Sequence, residues 1–291
     1  MRTYLQDFFR DFSYEQVDEQ IFLSSYDKII ANPTAKRLLC DVVDAYESDR
    51  FIDYQALVFE NAKQMAKHTC LHPYTVTLLV FICLTKRLKG LYQEKGLNMQ
   101  IYKDTVLDLR WKMEECKAVR GICGTFLESW FPGFFKLERF TLGRLQFELV
   151  PAWFDYEKNG VKIVKDESKI INVHIPRTGT PLTKERCDEA YQTAREFFKD
   201  EQGNAYPFVC WSWLLFPDNK ILFGEKSNTY RFLSEYDIID VDYDNGENLW
   251  RLFDTEEKNP DRLPTDTTPR RNYVAYLKSG KRVGWGLGIK L

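Results

Sequence analysis

The spacing of apolar residues in this chain changes once, near Gly121, and that change limits what the chain can fold into. Ahead of it, apolar residues recur with a period of about 3.6 over residues 14–31, 33–45, 54–67, 73–90 and 101–117. Pro33 and Pro73 stand at helix starts, where a missing N–H costs nothing. Asp53 is placed to cap the third segment. Behind Gly121 the period falls to two, as in strands with one face buried. The expectation is an α+β protein, with an all-helical domain over residues 1–118 and a sheet-containing domain over 119–291.

In the second half, residues 134–140 and 144–151 read as strands around a three-residue turn, Thr141-Leu142-Gly143. Leu145, Phe147 and Leu149 alternate with Arg144, Gln146 and Glu148. Residues 155–166 make a polar excursion around Asn159-Gly160, and a strand over 169–176 follows. There Ile171, Val173 and Ile175 share one face and Asn172 and His174 the other, until Pro176 stops the strand. Thr183 is set to cap a helix over 184–199. The unbroken apolar run 208–216 predicts a central strand covered on both faces. Next come a short helix over 228–234, a strand over 237–243, and an Asn245-Gly246 hairpin leading to 248–253. A proline-bearing loop over 256–271, a helix over 272–278 and a strand over 282–290 finish the chain. The order is β-β-β-α-β-α-β-β. It describes a mixed α/β sheet, partly antiparallel, with a helical crossover into one parallel neighbour.

Charge and length exclude several classes. Lys+Arg of 41 against Asp+Glu of 43 leaves a net charge of −2, so no basic surplus exists for a nucleic-acid partner. The longest apolar run, 76–84, is well short of the roughly 20 residues a spanning helix needs. The beginning, MRTYLQDFFRDFSYEQ, carries acids and lacks an apolar core, unlike a secretory signal. Seven cysteines, an odd number set mostly in apolar sequence, read as reduced thiols of a cytoplasmic protein.

Chemistry concentrates at residues 174–183, HIPRTGTPLT. A short loop with one glycine feeds a helix N-terminus, whose unpaired N–H groups favour anions. Arg177, Lys184 and Arg186 add positive charge, so the turn can hold a pyrophosphate; it also reads as an ordinary β-to-α turn capped by threonines. His174, the sole histidine of the second half, is placed as a general base or as a structural histidine. Glu138 and Glu148 fall on polar strand faces, where surface carboxylates are common. Cys210 reads as a buried inert thiol, and Ser212 shares its face. Ser227, Asn228 and Tyr230 open the short helix as a cap, or with the tyrosine as an acid.

Three patterns fail. Asp240, Asp242 and Asp244 imitate a calcium loop, but its sixth position is Asn245 and its twelfth Arg251. Residues 284–288, GWGLG, have no helix after them, and their glycines mark close backbone approach instead. His68 and His72 have no third ligand, so no metal is expected.

On FFKLERFTLGRLQFE (134–148), VHIPRTGTPLT (173–183), CWSWLLFP (210–217) and SNTYRF (227–232), the second half resembles the GNAT-like C-terminal domain of a family of bacterial acyltransferases. The first half resembles the helical N-terminal domain paired with it, so the resemblance covers nearly the whole chain. It implies a GNAT-like mixed α/β domain and acyl-CoA, acetyl-CoA or longer, as co-substrate. The thioester would lie where the strand ending at Pro176 splays from the strand over 208–215. Backbone groups of Val173 and Ile175 would pair with the pantetheine arm, one N–H polarising the thioester carbonyl. Arg177, Thr178, Gly179 and Thr180 would take the pyrophosphate, with Ser212 and Asn228 completing the cofactor contacts. Direct attack by an amine of a small-molecule acceptor would follow, with His174 as base, Glu148 second, and Tyr230 as acid for the thiolate. The ordinary pyrophosphate pattern, Arg/Gln-x-x-Gly-x-Gly/Ala, is reduced here to Gly179, and Pro181 removes one N–H. A second expectation therefore stands beside the first: the same fold as a ligand-binding or interaction module without turnover.

Overall fold

The computed structural model describes residues 1–243 and 249–291. They form two compact units, Met1–Glu138 and Arg139–Leu291. The first contains α1 (Arg2–Asp11), α2 (Gln16–Ala31), α3 (Pro33–Ser48), a π-helical stretch Tyr54–Phe59 running into α4 (Glu60–Thr69), α5 (Pro73–Glu94), α6 (Met99–Arg120) and α7 (Pro132–Phe135). The starts follow local chemistry. Asn32 and Asp53 side chains accept the N–H groups of Ala35 and Ala56, and Pro33 and Pro73 occupy first turns. The apolar run at 76–84 lies in the N-terminal half of α5 and is buried on every side, as the axis of the helical core. Among the described residues no helix is long and apolar enough to cross a membrane.

Two details differ from the sequence reading. Helix α1 lies ahead of the first segment read there, and buries Leu5, Phe8 and Phe9. The units divide after Glu138, later than the change of period, because the aromatic stretch behind Gly121 belongs to the helical core. Phe131 and Phe135 sit 4.9 and 5.0 Å from Phe81, and the Tyr46 hydroxyl donates to the Phe135 carbonyl at 2.8 Å. The expected strand over 134–140 is thus helix α7 and a turn before it becomes strand.

The second unit runs β1 (Arg139–Leu142), β2 (Leu145–Pro151), β3 (Tyr156–Lys158), β4 (Val161–Val164), β5 (Lys169–His174), α8 (Lys184–Phe198), β6 (Phe208–Ser212), α9 (Asn219–Phe223), α10 (Asn228–Ser234), β7 (Asp237–Asp242), α11 (Trp250–Phe253), α12 (Thr268–Lys278) and β8 (Trp285–Lys290). The main sheet has the order β1-β2-β5-β6-β8-β7, with β5–β6 parallel and the other described pairs antiparallel. This is the helical domain followed by a mixed, mostly antiparallel sheet domain that the spacing predicts. One sheet face packs under α8 through Phe147, Tyr191 and Phe208, whose rings lie 4.9 to 6.1 Å apart. On the other face, Ile170, Val209, Leu287 and Ile289 pack with Val164 of the β3–β4 hairpin.

That hairpin replaces the polar excursion. Asn159 and Gly160 take φ of 53° and 75°, the positive values a two-residue turn of this hand demands. The β1–β2 turn is Gly143-Arg144 and not the three-residue turn expected, since Leu142 faces Leu145. Strand β6 stops at Ser212, short of 216, where the Ser212 hydroxyl accepts the Leu214 N–H and starts a 3₁₀ turn, Trp213–Leu215. Residues 250–253 are helical and not strand-like, while the Asn245-Gly246 turn lies outside the described residues. At the sheet edge, β7 exposes Asp237, Asp240 and Asp242, and its register with β8 breaks between Ile238 and Asp240.

Candidate active site

The parallel pair β5–β6 is short. Its register contains Ile171↔Phe208 and Asn172↔Val209 and ends there, though β5 continues to His174 and β6 to Ser212. The Ile171 N–H donates to the Pro207 carbonyl at 2.9 Å. Peptide groups alternate between the two edges of a strand, so odd-numbered residues of β5 and β6 aim theirs at each other. Beyond the last registered pair, the Val173 carbonyl and the peptide groups of Ile175 and Trp211 therefore line a gap between the strands. Both strands remain held on their outer sides, β5 by β2 and β6 by β8.

Beside this gap, three strands carry a polar array on the face opposite α8. Across β1, β2 and β5, Arg139 faces Glu148 and Glu148 faces Asn172; in the next row, Thr141 faces Gln146 and Gln146 faces His174. Glu148 is the hub. Its carboxylate receives Arg139 Nε and Nη2 at 3.0 and 2.9 Å, Asn172 Nδ2 at 2.9 Å and His174 Nε2 at 2.7 Å. Burial pushes the Glu148 carboxyl up, but the His174 hydrogen bond and charge and the Arg139 guanidinium outweigh it and hold the group at about 2. An ionised carboxylate only accepts, so His174 Nε2 is the donor in this bond. Glu148 thereby fixes the orientation of the His174 ring.

The same carboxylate contributes to stability. Its folded value lies below the ordinary 4.5, so its contribution is present above pH 4.5 and is lost as the pH falls through 2. The difference corresponds to about 3 kcal/mol, for a side chain only 13% exposed. Urea unfolding of Glu148→Gln and the parent should differ by that order at pH 7, and the difference should shrink towards zero near pH 2. A difference independent of pH would refute the electrostatic account.

The loop after β5 is held differently from the sequence expectation. Arg144 spans it, donating from Nε to the Thr180 carbonyl at 2.8 Å and from Nη1 to the Pro176 carbonyl at 2.9 Å. The Thr180 N–H donates to Thr178 Oγ1 at 3.2 Å, while the Thr178 and Gly179 N–H groups have no hydrogen-bond partner among the described residues. Gly179, at φ 69°, has no atom within 4 Å of where a Cβ would stand. Arg177 pairs with Asp254, which also receives Arg270 at 2.7 Å. Thr183 occupies the cap position of α8 without capping it through its side chain; the Glu185 carboxylate bonds its own N–H there. The amides after Pro176 are thus partly engaged by the chain itself. Ser212 caps the 3₁₀ turn, and Asn228 is exposed at the start of α10. The Tyr230 N–H donates to Ser227 Oγ at 3.0 Å. None of these three side chains bonds to the His174 cluster. Cys210 is buried, and that burial pushes its thiol well up. Among the described residues no group of side chains is arranged to hold a metal.

Arg139, Asn172 and Gln146 are not among the site candidates the sequence offers. Strand alternation puts Asn172 and Gln146 on the polar face but sets Arg139 opposite Glu138, and only the register brings all three to Glu148 and His174. Glu138 stands before β1, and Arg139 faces Glu148 in its place.

The sheet order, the single parallel pair parting at one end and the crossover helix α8 define a GNAT-like α/β domain. Residues 139–290, more than half the chain, match the family model of the GNAT-like C-terminal domain, and residues 3–137 match that of the N-acyltransferase N-terminal domain. The chain belongs to this family. No curated protein matches it. Among solved structures, an acyltransferase in complex with decanoyl-CoA and teicoplanin superposes with a TM-score of 0.75 at 19% identity, over 98% of this chain and 86% of that one. An acyltransferase in complex with CoA and 10C-teicoplanin gives the same figures. An acyltransferase in complex with decanoyl-CoA gives a TM-score of 0.72 at 18% identity, over 98% and 86%. At such identities the likeness establishes the fold.

Proposed function

We propose that the protein is an acyl-CoA-dependent N-acyltransferase that moves an acyl group from the thioester to an amine of a small-molecule acceptor by direct attack. The gap between β5 and β6, opening beside a histidine oriented by an ionised glutamate, carries this reading. The Val173 carbonyl and Ile175 peptide group suit the amide-bearing pantetheine arm, and an N–H of the gap suits the developing oxyanion. Thr178 and Gly179 offer N–H groups to a pyrophosphate, with Arg177, Thr180 and the start of α8 alongside. His174 takes a proton from the attacking amine, and Tyr230 is the candidate donor to the departing thiolate. Ser212 and Asn228 remain candidate contacts to the cofactor. The acyl-CoA and teicoplanin held by structures of the same fold support the choice of donor and of a small-molecule acceptor.

Calorimetric titration with acetyl-, malonyl- and decanoyl-CoA tests the reading. Saturable binding is expected, weakened at least tenfold by Arg177→Glu, which puts a carboxylate beside the pyrophosphate and frees Asp254. Absence of heat with every thioester favours the module without turnover, a reading that the Arg177–Asp254 ion pair supports.

A further inference from the structure

The loop between β5 and α8 is gripped by its carbonyl oxygens. Arg144, in the β1–β2 turn, binds those of Thr180 and Pro176 through Nε and Nη1. Arg231 of α10 donates from Nη2 to the Leu182 carbonyl. A single planar fork thus joins the two ends of residues 176–180. Proline stands at one end and just past the other, at 176 and 181, and restricts the backbone there. Thr178 and Gly179 lie between the anchors, and their N–H groups have no hydrogen-bond partner among the described residues. The fork is rooted beside the buried Pro176, while Gly179 is exposed.

Arg144 has a firm base. Beside it Gly143 takes φ 65°, and the Ala190 Cα of α8 lies 3.5 Å from where a Gly143 Cβ would stand, so the turn rests on the helix. Arg144 is half-buried and forms no ion pair among the described residues. Burial pulls its guanidinium below the ordinary value, with Cys187 opposing and Arg186 adding to the pull. A cation bound to two carbonyls, with no carboxylate to answer it, leaves the loop a surplus of positive charge.

We propose that Arg144 is a positioning residue for the donor's pyrophosphate. It need not touch the phosphates. By fixing the Pro176 and Thr180 carbonyls it holds Thr178 and Gly179 in the shape in which both N–H groups meet the anion. This rests on the acyl-CoA reading and adds to it the residue that shapes the donor site. A loop shaped beforehand loses less freedom on binding, so the anion is held more tightly. The consequence is selective: donors with a pyrophosphate depend on Arg144, and donors without one do not.

Calorimetry on the full chain with three donors of one acyl chain tests this: decanoyl-CoA, decanoyl-dephospho-CoA and S-decanoylpantetheine. Only the first two carry the pyrophosphate. Arg144→Ala should weaken both by about tenfold or more and leave the third within about twofold. Arg144→Lys keeps the charge but has no fork to span both carbonyls, so it should still weaken the first two by about threefold. Equal weakening of all three donors would make Arg144 a general structural residue, and weakening of none would remove its role; either result overturns the proposal. Full recovery with Arg144→Lys, the mark of charge alone, would overturn it too. So would a loss confined to decanoyl-CoA, which points to the phosphate that dephospho-CoA lacks. Should Arg144→Ala fail to fold, the selective loss with Arg144→Lys decides the matter. The transferase reading fails separately, by absence of heat with every donor in the unaltered chain, and takes the proposal with it.

Discussion

Replacement of His174 by glutamine is expected to lower the turnover of amide formation by about 10²- to 10⁴-fold and leave acyl-CoA affinity nearly unchanged. Glutamine keeps an N–H that can donate to Glu148, so the array of Arg139, Glu148 and Asn172 survives. What it lacks is a site for the proton. Glu148 cannot substitute: a carboxyl held at about 2 is a weak base at neutral pH. Steady-state kinetics beside calorimetry separate the two effects, because loss of a group acting only in the transition state appears in kcat and not in binding. Unchanged turnover would remove His174 from the mechanism. Loss of binding and turnover together would make it structural.

A second large effect is expected far from any proton transfer. Gly286 lies in β8 between Ser212 of β6 and Val241 of β7. A Cβ there would collide with the Leu215 carbonyl, lying 2.7 Å from its carbon and 3.1 Å from the Leu215 Cβ. These are mostly backbone atoms of the 3₁₀ turn, pinned by the Ser212 cap, and they cannot rotate aside. Gly286→Ala should therefore cost about 3 kcal/mol, the upper range for overpacking. Gly179→Ala is the comparison: its surroundings are open, and the left-handed backbone alone should cost about 1 kcal/mol. Thermal unfolding of both variants checks the order. Equal losses would show that the turn yields, and that close approach of backbones does not set the requirement for glycine.

Legibility in the sequence follows the range of the interactions. Helix starts at Pro33 and Pro73, the cap at Asp53 and the helix Asn228–Ser234 depend on neighbours a few residues away, and the sequence reading places them well. The glycines of 284–288 likewise announce close approach, and Gly284 and Gly286 do meet the Asp242 and Leu215 backbones. The early end of β6 depends on a serine hydroxyl turning back on the chain, which an unbroken apolar run conceals. At the candidate site, alternation puts Glu148 and His174 on polar faces, but their contact needs the β2–β5 register. Arg177 reads as a free cation because its partner, Asp254, is distant in sequence. Gln146 reads in sequence as one of several outward polar residues; its burial is a property of the assembled fold.

The ragged, acidic margin of the sheet has a consequence for the molecule among its own copies. An edge strand carries unsatisfied ladder groups that invite a strand from another chain. Along β7, Lys158 balances Asp237, but Asp240 and Asp242 stay exposed beside the register break. Two molecules meeting edge to edge would bring rows of like charge together on a distorted ladder. That repulsion and the broken register both oppose the addition of a second copy's strand at this edge.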